Sequence, residues 1–363
     1  MFNPDRLTLA RLRAGLSKTE LATQAGVSVR TITNYETGQQ QPEGATLLAL
    51  ARILRFPPEY FDKENAPVID KADRDKISFR ARSKMTRGQT DTAVASMHMG
   101  AEIRDWLNDR LALPAVDIPD YADCDPETAA ACLRQAWGLG QMPIAHLLDV
   151  VESHGVMVFS LAMDTAVVDA FSVWHNGLPM IFLNRQKTAE RCRFDLAHEL
   201  GHLLLHTRGK PQGREAEQEA DQFASALLMP RDAMLAEPVG AGTLDRLVII
   251  KQRWRVSAAA LNYRLHKLGR ISEWMYRSNC ITLAQMGRNT EPQPGLPFEA
   301  SQLWHKIFAA LQQLGPGRSG MARDLQYGLP RLLELTFGPE VLDGGGAGGT
   351  PPQTATPSLR ILK

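Results

Sequence analysis

The first sixty residues carry apolar positions at helical spacing, separated by turn residues. Ser17 and Ser28 precede helical stretches as N-caps, and Gly26 lies between them as a turn residue. The spacing predicts a small all-helical domain. Its apolar positions form three groups: Leu7, Leu12 and Leu16; Leu21, Val27 and Ile32; and Leu47, Leu50 and Leu54.

The middle of the chain changes from helical spacing to strand spacing and back. Helical spacing over 93–150 is followed by apolar runs at 155–160 and 169–184. Asn176-Gly177 divides the second run, and this pair is typical of a two-residue hairpin turn. Because helical spacing then returns, we expect a mainly helical domain that contains a small β-sheet.

Changes in composition divide the chain into five regions. A basic linker follows the first domain, and a Gly/Pro/Thr-rich end predicts a disordered tail. The overall expectation is a multidomain fold, mainly α with one small sheet. The predicted regions are the helical domain at 1–61, the linker at 62–92, the sheet-containing domain at 93–270, a helical region of unknown role at 271–340 and the tail at 341–363.

One amphipathic helix is predicted within the fourth region, at "SQLWHKIFAALQQL", residues 301–314. Its apolar stripe predicts a core position or a dimer contact. The stripe consists of Trp304, Ile307, Phe308 and Leu311.

The composition is that of a soluble globular protein, with 44% hydrophobic and 22% charged residues. No apolar run is long enough for a membrane span, and the charged start predicts no secretory signal, so we expect a cytoplasmic protein. The four cysteines form no CxxC pair, which gives no support for a cysteine-based zinc site. They are Cys124, Cys132, Cys192 and Cys280.

The histidine-rich stretch "RFDLAHELGHLLLH" has the spacing of a metallopeptidase site. His198 and His202 are four residues apart, so on a helix both imidazoles can face one metal ion. Glu199 points to a neighbouring sector, where its carboxylate can hold water. A catalytic zinc ion needs a third protein ligand and keeps its fourth position open.

Two segments offer that third ligand. Imidazoles at i, i+4 and i+8 of a straight helix spread over about 12 Å of rise, so we expect His206 to orient a ligand or to lie at the surface. In "EAEQEADQFASALLMP", Glu217 and Asp221 share a helical face, and one could bind the metal while the other steadies a ligand histidine. Glu219 projects elsewhere. The alternative is a solvated acidic helix start.

These segments, with the preceding "DAFSVWHNGLPMIFLN", resemble the ImmA/IrrE family of zinc metallopeptidases over roughly residues 120–270. The resemblance implies a zincin-like, gluzincin-type α+β fold and one zinc ion per chain. It assigns the zinc ligands to His198, His202 and Glu217, with Glu199 as general base. Asp221 and His206 would then orient the ligands.

The same resemblance implies that the strand at 179–184 is the sheet edge that takes an extended peptide. A second donor to the oxyanion is normally required. His175, Tyr263 and Arg193 are three candidates for this role, and the sequence does not choose among them.

Residues 15–61 resemble the helix-turn-helix of the Cro and lambda-type repressor (XRE) family, through features such as Gly26-Val27-Ser28 and Pro42. The resemblance implies that residues 28–36 enter a major groove of double-stranded DNA. Expected base contacts include Arg30 with guanine and Asn34 with adenine. The full predicted set is Ser17, Lys18, Ser28, Val29, Arg30, Thr31, Asn34 and Gln39.

The charge distribution agrees with an anionic partner for this region. The net charge is only +1, but residues 1–90 carry 15 Lys/Arg against 10 Asp/Glu. Such modules bind paired half-sites, so we expect a homodimer. The alternative is a helix-turn-helix kept for protein docking.

Two functions of different class follow. The first is a DNA-binding transcription regulator whose zinc endopeptidase cuts a repressor, an antitoxin or the protein itself. The second is a regulator, or an antitoxin-like protein, that uses the peptidase fold as a sensor or scaffold and cuts nothing. Glu199 beside both histidines favours the first, because a structural metal site needs no base.

Overall fold

A computed structural model describes residues 1–64, 73, 86–161, 169–207, 213–287, 290–315, 317–337 and 359–362. Most of the predicted linker and most of the predicted tail lie outside these residues. The described part is mainly helical with a small sheet, which confirms the predicted fold class. Within it, no helix combines the length and apolarity needed to cross a membrane.

The N-terminal domain contains four short helices and a final 3-10 turn. Ser17 and Ser28 cap the second and third helices, as predicted, and Gly26 ends the second helix with a left-handed φ of +68°. Leu21 and Ile32 are fully buried between these helices. The elements are α1 (Pro4–Arg13), α2 (Lys18–Ala25), α3 (Val29–Glu36), α4 (Gly44–Leu54) and the turn Pro58–Asp62.

A long helix, α5 (Arg87–Asn108), starts inside the predicted linker and connects this domain to the sheet. On one side it packs against α1, where Arg6 and Glu102 form an ion pair of 2.5 Å. On the other it reaches the sheet at Gly100, where a Cβ would lie 2.8 Å from the ring of Phe182. The apolar residues of both domains therefore belong to one continuous core.

The main sheet has three strands, β2 (Met157–Ser160), β3 (Ala170–His175) and β4 (Leu178–Leu183), in the order β2-β4-β3. The predicted hairpin is confirmed, because β3 and β4 pair antiparallel across Asn176 and Gly177, which both have positive φ. The predicted sheet edge at 179–184 is wrong: β4 also pairs with β2 in parallel and is therefore the central strand. The strands are β1 (Leu111–Ala112), β2 (Met157–Ser160), β3 (Ala170–His175) and β4 (Leu178–Leu183).

The helix that carries the histidine motif packs against this sheet. Helices α8 (Ala189–Leu205) and α9 (Arg214–Leu228) pack closely together, and α8 contacts both β3 and β4. The helices of this domain are α6 (Pro126–Ala136), α7 (Leu147–Ser153), α8 (Ala189–Leu205), α9 (Arg214–Leu228), α10 (Arg231–Ala236), α11 (Leu244–Trp254), α12 (Ala258–Lys267) and α13 (Glu273–Met286).

The C-terminal helices are α14 (Gln302–Gln313), α15 (Gly317–Asp324) and α16 (Leu329–Leu335). The apolar stripe of α14 is buried, as expected for a core helix, and the indole of Trp304 donates to the carbonyl of Val158 at 2.8 Å. Disorder was expected for the whole tail, but β5 (Arg360–Ile361) pairs with β1. The main-chain hydrogen bonds of this pairing are a non-local feature that composition does not reveal.

Candidate metal centre and DNA-reading face

Helices α8 and α9 bring the motif residues together. Thr188 caps the start of α8, and its hydroxyl accepts a hydrogen bond from the amide of Arg191. The two helices are in close contact at Gly201, where a Cβ would lie only 2.9 Å from the ring of Phe223. A glycine at this position therefore lets α9 carry its acidic first turns up to the histidines of α8.

Three ligand atoms converge at this crossing. The Nε2 atoms of His198 and His202 lie 3.1 Å apart. Glu217 directs Oε2 to His198 at 3.4 Å and Oε1 to His202 at 3.2 Å. The ligand atoms of these three residues all lie within 4.8 Å of one another. Both histidines are buried, with exposed fractions of 2% and 0%.

The opposite ring nitrogens of the two histidines have partners of their own. Nδ1 of His198 lies 2.9 Å from Asp221, and Nδ1 of His202 lies 2.8 Å from Nδ1 of His206. His206 in turn contacts Glu219 at 3.0 Å. These contacts fix the ring orientations and leave both Nε2 atoms facing Glu217. Glu219 was not among the predicted site residues. It contacts His206 on the neighbouring helix, and it does not share the helical face of Glu217 and Asp221.

The donor set fits a divalent metal ion of the zinc type. Two imidazoles and one carboxylate are the ligands found in catalytic zinc sites of peptidases. Both carboxylate oxygens of Glu217 are buried without a hydrogen-bond partner, which is costly unless a cation satisfies them. Burial alone would raise the pKa of Glu217, but its close contacts with His198 and His202 lower it to about 2. This carboxylate is therefore ionised and ready to bind a cation.

Glu199 lies beside these ligands but does not belong to the converging set. It is 3% exposed, and burial raises its pKa to about 7, while the charge of His198 and the hydroxyl of Ser172 oppose that rise. Ser172 lies on β3, so this strand contacts Glu199, the residue that follows His198. No motif of the sequence indicated Ser172, since only the folded sheet brings β3 to α8.

The three candidate oxyanion donors lie in different places. Arg193 is buried and engaged elsewhere, in an ion pair with Glu299 and in a hydrogen bond of 2.7 Å to the carbonyl of Ile144. His175 is half-buried at the end of β3. Tyr263 is 46% exposed and borders a cavity beside α8 and α9. The geometry thus assigns Arg193 a structural contact and leaves His175 and Tyr263 nearer to solvent.

The predicted DNA-contacting residues lie on the exposed side of α2 and α3. Five are exposed, namely Ser17, Ser28, Val29, Arg30 and Gln39, and three are partly exposed, namely Lys18, Thr31 and Asn34. Lys18 is paired with Glu36 at 3.2 Å. Glu36 also binds Arg11 at 2.5 Å and so ties α2 and α3 to α1.

Several of these polar side chains already have intramolecular partners. The hydroxyl of Ser28 lies 2.8 Å from that of Thr31 and caps α3. The side-chain amide of Asn34 donates to Gln40 at 3.3 Å. Gln40 therefore adjoins the predicted DNA-contacting surface, although it was not among the predicted residues. Arg30 is exposed at the start of α3, where a long cation can reach a base edge.

Comparisons with known protein families agree with this division of the chain. Residues 7–61 match the helix-turn-helix family, and residues 151–266 match the IrrE N-terminal-like domain family of metallopeptidases. The first match covers the helices around α3, and the second includes the sheet and the converging residues of α8 and α9. No curated protein matches the chain.

Proposed function

Because the chain joins an XRE-type helix-turn-helix domain to an IrrE-like metallopeptidase domain, we propose that it is a transcription regulator that cuts a regulatory protein in a zinc-dependent reaction. The substrate would be a repressor, an antitoxin or the protein itself. The observation that carries this proposal is a buried Glu199 next to, but outside, the ligand set of His198, His202 and Glu217. A metal site that only stabilised the fold would have no use for such a carboxylate.

The residues present divide the chemical work between them. His198, His202 and Glu217 would hold the zinc ion, and Asp221 and His206 would keep the two imidazoles in position. Zinc bound there would supply a Lewis acid that polarises the scissile carbonyl and makes water more acidic.

Glu199 would act as general base and then as general acid. Its carboxylate would accept a proton from the attacking water, whose oxygen forms the new bond to the scissile carbon. It would return this proton to the leaving nitrogen as the carbon–nitrogen bond breaks. Burial, which favours the protonated form of this carboxyl, helps it to hold the proton between the two transfers.

The substrate peptide would add as a strand to β3. This strand is a sheet edge among the described residues, and it carries Ser172 next to Glu199. Main-chain hydrogen bonds to an edge strand position a peptide without regard to its side chains. β3 would thus have the role that was predicted for the strand at 179–184.

The helix-turn-helix domain would bring this activity to DNA as part of a homodimer in the cytoplasm. One module makes few phosphate contacts, and a two-fold pair of modules reads two half-sites. The exposed positions of Arg30 and Val29 support base reading by α3.

The experiment compares host strains that carry the wild-type protein, Glu199→Gln or Arg30→Ala. Glu199→Gln removes the proton acceptor but keeps nearly the same shape, so zinc content and DNA binding should be retained. Quantitative profiling of protein N-termini should show one regulatory protein that stays uncut in Glu199→Gln. Transcript profiles should change in the same strain.

Arg30→Ala serves as the control for loss of DNA reading alone. It should alter transcripts while leaving the new N-terminus in place. A Glu199→Gln strain identical to wild type in both profiles under inducing stress would replace the peptidase proposal with the sensor alternative.

A further inference from the structure

We propose that Glu219 acts through His206 to hold the imidazole of His202 in the tautomer that can bind zinc. This role rests on the proposed zinc site and adds a positioning residue to it. Glu219 lies 3.0 Å from Nε2 of His206, and Nδ1 of His206 lies 2.8 Å from Nδ1 of His202. At its other nitrogen, Nε2, His202 lies 3.2 Å from Glu217. A chain of contacts therefore runs from Glu219 on α9 through two rings to the metal centre.

The carboxylate at the end of this chain fixes the positions of the hydrogen atoms along it. An ionised carboxylate only accepts hydrogen bonds, so the hydrogen of the first contact lies on Nε2 of His206. A neutral imidazole carries one N–H, and Nδ1 of His206 is therefore an acceptor. The hydrogen between the two rings then belongs to Nδ1 of His202. Nε2 of His202 keeps its lone pair, which a zinc ligand must have.

The opposite arrangement of hydrogens would disable the site. If His206 carried its hydrogen on Nδ1, this hydrogen would be donated to Nδ1 of His202, and His202 would carry its own hydrogen on Nε2. A protonated Nε2 has no lone pair for a metal ion. Glu219 disfavours this arrangement, because Nε2 of His206 would then be an acceptor that faces an ionised carboxylate.

The two histidine ligands are thus held in the same tautomer by different means. Nδ1 of His198 lies 2.9 Å from the carboxylate of Asp221, whereas Nδ1 of His202 faces a second imidazole. One ring further away, Glu219 supplies for His202 what Asp221 supplies directly for His198.

The burial of the chain allows a change at one end to reach the other. His202 and His206 are 0% and 5% exposed, and buried polar atoms exchange their partners with water less readily than exposed ones. The side chain of Glu219 is 32% exposed at the outer end of the chain. It can therefore be replaced without opening a cavity in the core.

Glu219→Gln tests this role with little change of shape. Glutamine keeps a hydrogen bond to His206, but its amide can donate as well as accept, so it no longer selects one tautomer. We expect zinc to bind the full-length variant about tenfold more weakly, measured by competition with a chelator of known affinity. Zinc content at saturation should be unchanged, because all three ligands remain. Glu215→Gln removes the same charge from an exposed position of α9 and should bind zinc like the wild type.

The tautomers are measured by ¹⁵N NMR of the imidazole nitrogens in the metal-free protein, in mildly alkaline solution. Single histidine substitutions assign the signals. In the wild type and in Glu215→Gln, the hydrogen should lie on Nδ1 of His202 and on Nε2 of His206. In Glu219→Gln, both rings should shift towards a mixture of the two tautomers. A contact that only supported the fold would leave the signals unchanged.

His206→Ala shows whether Glu219 acts through this ring. In the His206→Ala background, Glu219→Gln should have no further effect on zinc affinity, whereas a direct effect of its charge on the metal would persist. The role of Glu219 would be overturned by an unchanged zinc affinity or unchanged tautomers in Glu219→Gln, or by an equal loss in the His206→Ala background. The zinc site would stand in each of these cases.

Failure of the proposed function would look different. A wild-type protein that binds no zinc would overturn the metal site and this role of Glu219 together. Loss of the peptidase proposal through Glu199→Gln would leave the effect of Glu219 on zinc affinity in place, because Glu199 lies outside this chain of contacts.

Discussion

The metal centre and the DNA-reading helix place their functional side chains in opposite environments. His198 and His202 are buried, and each ring nitrogen that faces away from Glu217 has its own partner. Arg30 and Val29 lie exposed on α3, where the fold places little constraint on them. The chemistry of the buried site therefore depends on contacts within the protein, whereas the exposed surface depends on the partner that would bind there.

This difference has a physical origin. A buried polar group without a partner costs free energy, so each functional atom of the metal centre must be satisfied by a neighbour or by a metal ion. An exposed side chain can exchange water for a base or a phosphate at little cost. Substitutions should accordingly have large and specific effects in the first region and context-dependent effects in the second.

The largest expected effect lies at the junction that connects the two regions. Glu102→Ala would leave the fully buried Arg6 without its carboxylate partner, so we expect a loss of about 3–5 kcal/mol in the free energy of unfolding. Chemical denaturation of the full-length protein measures it. The control is Arg277→Ala, which removes an exposed pair with Glu273 and should leave the free energy of unfolding almost unchanged, because water screens the pair. Equal losses would mean that the junction is not a stabilising contact.

Asp221→Ala tests how the orientation of His198 affects zinc binding in the buried region. Without this carboxylate the ring of His198 loses its orienting partner, and zinc should bind about 10- to 100-fold more weakly. Competition with a chelator of known affinity measures the change. Gln222→Ala, at the exposed neighbouring position, should leave the affinity unchanged. An unchanged affinity in Asp221→Ala would show that the orientation of His198 does not depend on this contact.

Arg30→Ala tests whether an exposed side chain of α3 contacts a base or a phosphate. It should weaken binding to a site selected from random duplexes by about 1–3 kcal/mol, with a much smaller loss on unselected DNA. Fluorescence anisotropy at several salt concentrations measures both. Arg52→Ala removes the same charge from an exposed position on α4 and should not discriminate between the two DNAs. Equal losses for Arg30→Ala on both would assign Arg30 to phosphate.

A further expected effect concerns pH and the attachment of α14. Burial raises the pKa of Glu152 from 4.5 to about 8, while the carboxyl accepts a hydrogen bond of 2.6 Å from Ser301. Between these values the folded state binds more protons than the unfolded state. Stability should therefore fall as the pH rises through this window, by up to about 1.4 kcal/mol per unit.

Glu152→Gln cannot lose a proton and keeps an acceptor for Ser301. The difference in unfolding free energy between pH 5 and pH 8 should be smaller in this variant than in the wild type. An unchanged pH dependence would show that Glu152 does not titrate in this range.

Local features of the sequence predicted the local structure well. The caps at Ser17 and Ser28, the Asn176-Gly177 turn and the helical face of Glu217 all depend on residues close together in the chain. Spacing thus placed the two histidines on one helix and the pair Glu217 and Asp221 on a second helix, and the family resemblance chose Glu217 from that pair.

Features that depend on distant residues were missed. The central position of β4 follows from its parallel pairing with β2, and the contact of Ser172 with Glu199 follows from the packing of β3 on α8. Glu219 gains its position only through His206. The pairing of β5 with β1 joins residues about 250 positions apart, so composition could only indicate a disordered tail.

Glu217, and not another acid of α9, should complete a catalytic zinc site with His198 and His202. Metal content per chain, measured by mass spectrometry on purified wild type, Glu217→Ala and Glu219→Ala, tests it most directly. We predict about one zinc ion in the wild type and in Glu219→Ala, and none in Glu217→Ala, because only Glu217 faces both Nε2 atoms. Full zinc content in Glu217→Ala, or an empty wild-type protein after zinc loading, would contradict the account.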